Sequence, residues 1–162
     1  GWLILVGLGV VLSPIRLLVT LVSTYKPIFE DGTWEALTTV GSGSYNPYFS
    51  SLLIGEIGFN AILVIVSIYL IYLFFSKNYL FPKVYIGVVV MSLIFIPLDA
   101  WVVTLIFPSV EMFDPETIKE FMRSLVAGVI WIPYLLISKR VRFTFVEGMP
   151  FKKKQSITEI VG

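Results

Sequence analysis

Arg16, Glu56 and Asp99 are each the single strong charge in a long apolar run, and Arg123 is the deepest charge in a fourth. Charge is costly in hydrocarbon, so an ionisable residue there marks a partner or a task. Two arginines can hold anionic groups, and two carboxylates can hold cations or protons. Asn60, one turn after Glu56, adds an amide to the same face. The set is therefore a candidate site for an ion or an anionic ligand, such as a lipid headgroup. It is equally a candidate ion-pair clamp that fixes helix register without further function. A third reading has Arg123 snorkelling to the surface, with Glu120 one turn away as its partner.

Other chemistries find no footing. The chain has no cysteine and no histidine. That removes thiol nucleophiles, iron–sulfur clusters, zinc sites built from those residues and imidazole bases. Glu56 and Asp99 sit in GEIGFN and PLDAW, neither of which matches the GxGD-type motif of an intramembrane aspartyl protease. Gly7-Leu8-Gly9 lacks the later glycine and preceding strand of a phosphate loop, and fits close helix contact. No catalytic residue, metal or cofactor is assigned, and the expected class is non-enzymatic.

The elements that carry these residues follow from hydropathy. Hydrophobic residues are 57% of 162, charged residues 14% and mean hydropathy is +0.90. A soluble domain carries about 25% charged residues. A net charge of +1 gives no electrostatic case for nucleic acid. A membrane helix needs roughly 20 apolar residues, and residues 2–24, 52–75, 84–107 and 118–138 qualify. The first run has no basic n-region or small-residue cleavage site and is expected to be a retained span. Asp114 and Pro115 form a cap and first-turn signal for the fourth. The expected fold is an all-α membrane protein, a bundle of four transmembrane helices. Residues 1–138 form this domain, with an extracytoplasmic loop at 25–51, and 139–162 form a basic cytoplasmic tail.

Orientation comes from the cations. Lys77, Lys83, Lys139, Arg140, Arg142, Lys152, Lys153 and Lys154 fall on one side, against Lys26 and Lys119 on the other. The bias places both termini in the cytoplasm. Arg16, Glu56, Asp99 and Arg123 then share one stratum, roughly 5–12 Å below the outer boundary at 1.5 Å rise per residue. The polar stripes expected to face inward are Gly9, Ser13, Arg16, Thr20 and Ser23; Glu56, Asn60 and Ser67; Ser92 and Asp99; and Arg123, Ala127 and Tyr134. Arg16 and Arg123 are expected to interleave with Glu56 and Asp99. Pro14 and Pro97 precede Arg16 and Asp99 by two residues, which predicts bends beside the charges.

Smaller features carry competing readings. Ser51/Gly55 and Ser124/Gly128 fit small-residue helix packing. Residues 33–37 fit a short interfacial helix. Tyr25, Phe29, Trp34, Tyr45, Tyr48 and Phe49 fit an interfacial belt or a lid over the charged stratum. The segment KRVRFTF fits two readings, a simple topology determinant or a stretch along the cytoplasmic surface with Val141, Phe143 and Phe145 dipped into the bilayer. Its cations and Lys152–Lys154 are either topology determinants or contacts to anionic lipid. The expected partners are membrane lipids, a second copy of the chain or a larger membrane complex; as an accessory or assembly subunit, its charges would be structural.

Three stretches, GWLILVGLGVVLSPIRLL, PLDAW and WIPYLLISKRVRFTF, resemble the YdgK-like family of small bacterial inner-membrane proteins, a domain-of-unknown-function family. The resemblance implies a four-helix protein of the bacterial inner membrane. It carries no activity, cofactor or catalytic residue to this chain.

Overall fold

In hydrocarbon a backbone must satisfy its own polar groups, so each long apolar run closes into a helix. The computed structural model describes residues 1–150. Its long helices are α1 (Trp2–Glu30), α3 (Phe49–Phe75), α4 (Phe81–Ile106) and α5 (Pro115–Ile137). Two short helices, α2 (Thr33–Thr38) and α6 (Lys139–Thr144), complete the order. All four long helices have the length and apolar character to cross a membrane. The chain is an all-α, multi-pass membrane protein; among the described residues the only β pairing is an isolated bridge between Asn78 and Glu147.

The helices outrun the apolar spans at the loop end. α1 continues to Glu30, and α3 and α5 begin at Phe49 and Pro115. Hydropathy marks the hydrocarbon core, but helical bonding extends into the interface. In α1 a Lys26–Glu30 ion pair of 3.3 Å spans the added turn. α1, α4 and α5 also run unbroken through Pro14, Pro97 and Pro133. Pro14 has no N–H for the Val10 carbonyl. The Ser13 hydroxyl donates to that carbonyl instead, at 3.0 Å.

Asp114 caps α5 as its sequence signal predicts, accepting the Thr117 N–H at 2.7 Å. That bond holds the Asp114 carboxyl below its ordinary value. A depressed carboxyl stabilises the fold above its unfolded pKa, and the gain is lost as pH falls through the folded one. Asp114→Ala is expected to cost about 1 kcal/mol at neutral pH. The gap between wild type and variant should narrow below about pH 4, which paired thermal unfolding at pH 7 and pH 3 measures.

Packing is sequential: α1 lies on α3, α3 on α4 and α4 on α5, while α1 and α5 meet much less. Gly7 lets α1 approach α3, because a Cβ there would sit 2.6 Å from Phe74 Cζ. Gly128 does the same for α5 on α4, against Val89 and Leu93. Two apolar clusters bracket the bundle. At the end holding the α3–α4 turn, Val6, Val10, Leu70, Leu73, Phe81, Leu135, Val141 and Phe145 are buried together. At the opposite end Tyr25, Phe49 and Leu53 pack with Trp34, Leu37 and Phe107.

The segment after α5 differs from its expected placement. Val141 and Phe145 are 1% and 3% exposed and join the core; Phe145 stacks on Phe81 at 4.6 Å. Only Phe143 faces outward. The alternation in KRVRFTF also contains an i, i+4 apolar pair, and the Phe81 pocket favours the helix that uses it. Backbone bonds from Tyr79 N–H to the Glu147 carbonyl and from Glu147 N–H to the Lys77 carbonyl, both 3.1 Å, fasten it to the α3–α4 turn. Lys139, Arg140 and Arg142 remain exposed. Lys152, Lys153 and Lys154 lie outside the described residues.

Candidate functional site

Between the two apolar clusters all four long helices turn polar side chains toward one cavity of about 260 Å³. α1 contributes Arg16, Thr20 and Thr24, at spacings of four that keep one face. α3 contributes Glu56 and Asn60, α4 contributes Ser92 and Asp99, and α5 contributes Thr117, Glu120 and Ser124. Phe59 and Phe95, stacked 3.5 Å apart, and Leu63 supply its apolar wall. Three of the four singled-out charges therefore border one space, together with Asn60.

Arg123 does not line this cavity; it is exposed on the adjacent flank of α5. That helix lines the cavity with Thr117, Glu120 and Ser124 and packs on α4 at Gly128; of the expected stripe Arg123 and Ala127 do not line the cavity, while Tyr134 packs on the core at the α3–α4 turn end. The close approach at Gly128 turns the small residues inward and swings Arg123 out. Nor do the charges interleave as ion pairs. Among the described residues, Lys26–Glu30 is the only ion pair within 4 Å. Arg16 is instead within electrostatic range of Arg123 and Glu120. Glu56 is in range of Asp99. Glu56 and Asp99 thus lie together on one side, and Arg16 lies on the other with Arg123 and Glu120 in range.

Tyr25 holds the acidic side. Its hydroxyl donates to Glu56 Oε2 at 3.2 Å, and Asn60 Nδ2 donates to the Tyr25 oxygen at 3.3 Å. The same amide donates to the Glu56 carbonyl at 2.9 Å. Sequence reasoning placed Tyr25 in the loop because α1 seemed to end at Thr24. The i, i+4 pairing of Lys26 and Glu30 was the signal that the helix runs on. Tyr25→Phe should leave both polar partners short of a bond and cost about 1–3 kcal/mol. Thermal unfolding in detergent checks this, with Tyr45→Phe at an exposed site as the neutral control.

Other stripe members serve their own helices. Ser13, Ser23 and Ser67 donate to the carbonyls three residues earlier and need no partner across the bundle. Gly55 packs against nothing, and with Ser51 it opens a shallow groove between α3 and α4 that reaches Glu56 and Asp99 from the far side. The aromatic loop is neither a plain belt nor a complete lid. Trp34 packs on Phe29 and Phe49 at 5.4 and 6.3 Å, while Tyr45 and Tyr48 stay exposed.

A family model described as "Protein of unknown function (DUF2569)" matches residues 1–146, which takes in α1 to α6. No curated protein and no solved structure matches the chain.

Proposed function

We propose that this chain, which belongs to the DUF2569 family of proteins of unknown function, is a non-enzymatic binding protein of the bacterial inner membrane whose charged cavity holds a small charged ligand. The observation that carries this reading is the separation of the charges. Arg16, Glu56 and Asp99 border one cavity, yet none of them forms an ion pair within 4 Å. A clamp works by pairing its own charges. Charges held apart around a space are placed to pair with something that enters it. Arg16 is the group for an anion; Glu56 and Asp99, oriented by Tyr25 and Asn60, are the groups for a cation or proton.

Lys77, Lys83, Lys139, Arg140 and Arg142 gather at the end closed by the α3–α4 turn and α6. The cation bias makes this end cytoplasmic and puts the cavity in the outer half of the bilayer. A cysteine at Ser44 should label from outside intact cells and one at Lys139 only after permeabilisation. The exposed cations of α6 also suit contact with anionic lipid on the cytoplasmic side, at about 1 kcal/mol each.

The binding test uses purified protein in neutral detergent, with melting followed in inorganic phosphate and in ethylammonium chloride. Wild type is expected to melt higher in at least one probe. Arg16→Gln should fold and lose the phosphate response; Glu56→Gln should fold and lose the ethylammonium response. Unfolding of the neutral variants without any probe response in wild type would instead make the charges a clamp, as suits an accessory or assembly subunit.

A further inference from the structure

The cavity has a polarity, and its access has a direction. Its least closed side is the seam between α1 and α5, which have little mutual contact. At the α3–α4 turn end this seam is shut locally by the edge contact of Trp2 on Trp131 at 6.1 Å. Higher up, Arg16 stands on the α1 side of the cavity and Glu120 on the α5 side. Arg123, exposed on α5, adds a second guanidinium in range of Arg16. The two cations repel; Glu120, also in range of Arg16, offsets one of them, which leaves a net positive charge, and neither arginine has a carboxylate within 4 Å. An anion between them would relieve that repulsion, and guanidinium planes suit the paired oxygens of a phosphate.

The far wall has the opposite sign. Glu56 and Asp99 come from α3 and α4, the helices remote from the seam. Tyr25 occupies one oxygen of Glu56, leaving the remaining carboxylate oxygens for other donors. Below them the stacked Phe59–Phe95 pair and Leu63 make an apolar wall, with Ser92 the polar side chain deeper on α4. The lipid-facing sides of α1 and α5 are apolar, with Ile15, Val19, Met122 and Val126 exposed.

We propose that the ligand is a zwitterion with a phosphate joined through a short chain to an ammonium, the headgroup of an aminophospholipid, entering sideways between α1 and α5. The phosphate lies at Arg16 and Arg123; the ammonium reaches Glu56 and Asp99; the acyl chains stay outside along α1 and α5. This rests on the reading of the cavity as a binding site. Free phosphoethanolamine carries the same chemistry without the chains. A purely anionic headgroup would leave Glu56 and Asp99 unanswered, and a simple cation would leave Arg16 and Arg123 so.

The experiment measures binding to the full chain in neutral detergent, by intrinsic tryptophan fluorescence. The probes are dihexanoyl phosphatidylethanolamine, dihexanoyl phosphatidylglycerol and O-phosphoethanolamine. Wild type should prefer the ethanolamine lipid. Arg16→Gln should weaken both lipids about tenfold or more, as loss of a charge-assisted bond implies. Glu56→Gln should weaken only the ethanolamine lipid, and Asp99→Asn reads the same pole should Glu56→Gln fail to fold. Equal affinity for both lipids with no response to either carboxylate variant overturns the zwitterion while leaving a charged-ligand site. O-phosphoethanolamine binding as tightly as the lipid overturns access from the bilayer. Absence of binding by all three, with no response to phosphate or ethylammonium, overturns the binding reading itself. Failure of both carboxylate variants to fold returns the groups to a structural role and overturns the proposal.

Discussion

Phe81→Ala is expected to remove about 3 kcal/mol or more from the stability of the folded bundle. Phe81 is fully buried, and its ring meets Phe74 at 5.2 Å, Phe145 at 4.6 Å and Tyr85 at 5.9 Å. Truncating a buried phenylalanine costs about 3–5 kcal/mol through lost contacts and the void left behind. In a bilayer the transfer part shrinks, because lipid tails are as apolar as the core. The void persists, since rings from α3, α4 and the segment after α5 cannot all close on it. Unfolding in graded SDS measures the loss. Phe81→Leu, which keeps most of the volume, should cost less than about 1.5 kcal/mol. Similar losses for the two variants would mean that the void is not the cause.

Gly7→Leu is expected to be nearly as damaging, at about 3 kcal/mol, the upper end for inserting bulk into a packed interface. A Cβ at Gly7 already falls 2.6 Å from Phe74 Cζ. Phe74 is partly buried, and Phe81 and Phe145 back its ring at 5.2 and 5.8 Å and limit its retreat. α1 must therefore lift from α3. Gly9, two residues on, has no atom within 4 Å of its virtual Cβ and should accept alanine freely. Equal tolerance at the two positions would mean that α1 does not pack as closely as described.

The fold was readable because four apolar runs leave a membrane chain few alternatives. The site was readable in part. Arg16, Glu56, Asn60, Ser92 and Asp99 follow from one charge per helix and a common depth, and all line the cavity. What escaped depended on rotation and on helix ends. On α5 the sequence offered two faces, the stripe through Arg123 and the packing pair Ser124/Gly128, and it is Gly128 that approaches α4. Period alone cannot rank two neighbouring faces; the steric size of the residues can. Tyr25 was missed because hydropathy ends where the polar interface begins, whereas the backbone keeps its hydrogen bonds for another turn. The burial of Val141 and Phe145 rests on a pocket made by distant residues, which no local pattern contains.

That pocket ties the start of α1 to the segment after α5. Val6, Val10, Phe81 and Phe145 belong to one core, so it cannot close until nearly all the described residues have been synthesised. Helices insert singly and associate afterwards. Throughout translation α1 and α3 can dock, but the aromatic seat at the α3–α4 turn stays vacant until the segment after α5 leaves the ribosome. The nascent protein thus passes through a stage with all its spans inserted and one end unsealed. Only when the segment after α5 has emerged can that end shut and the bundle become watertight on that side.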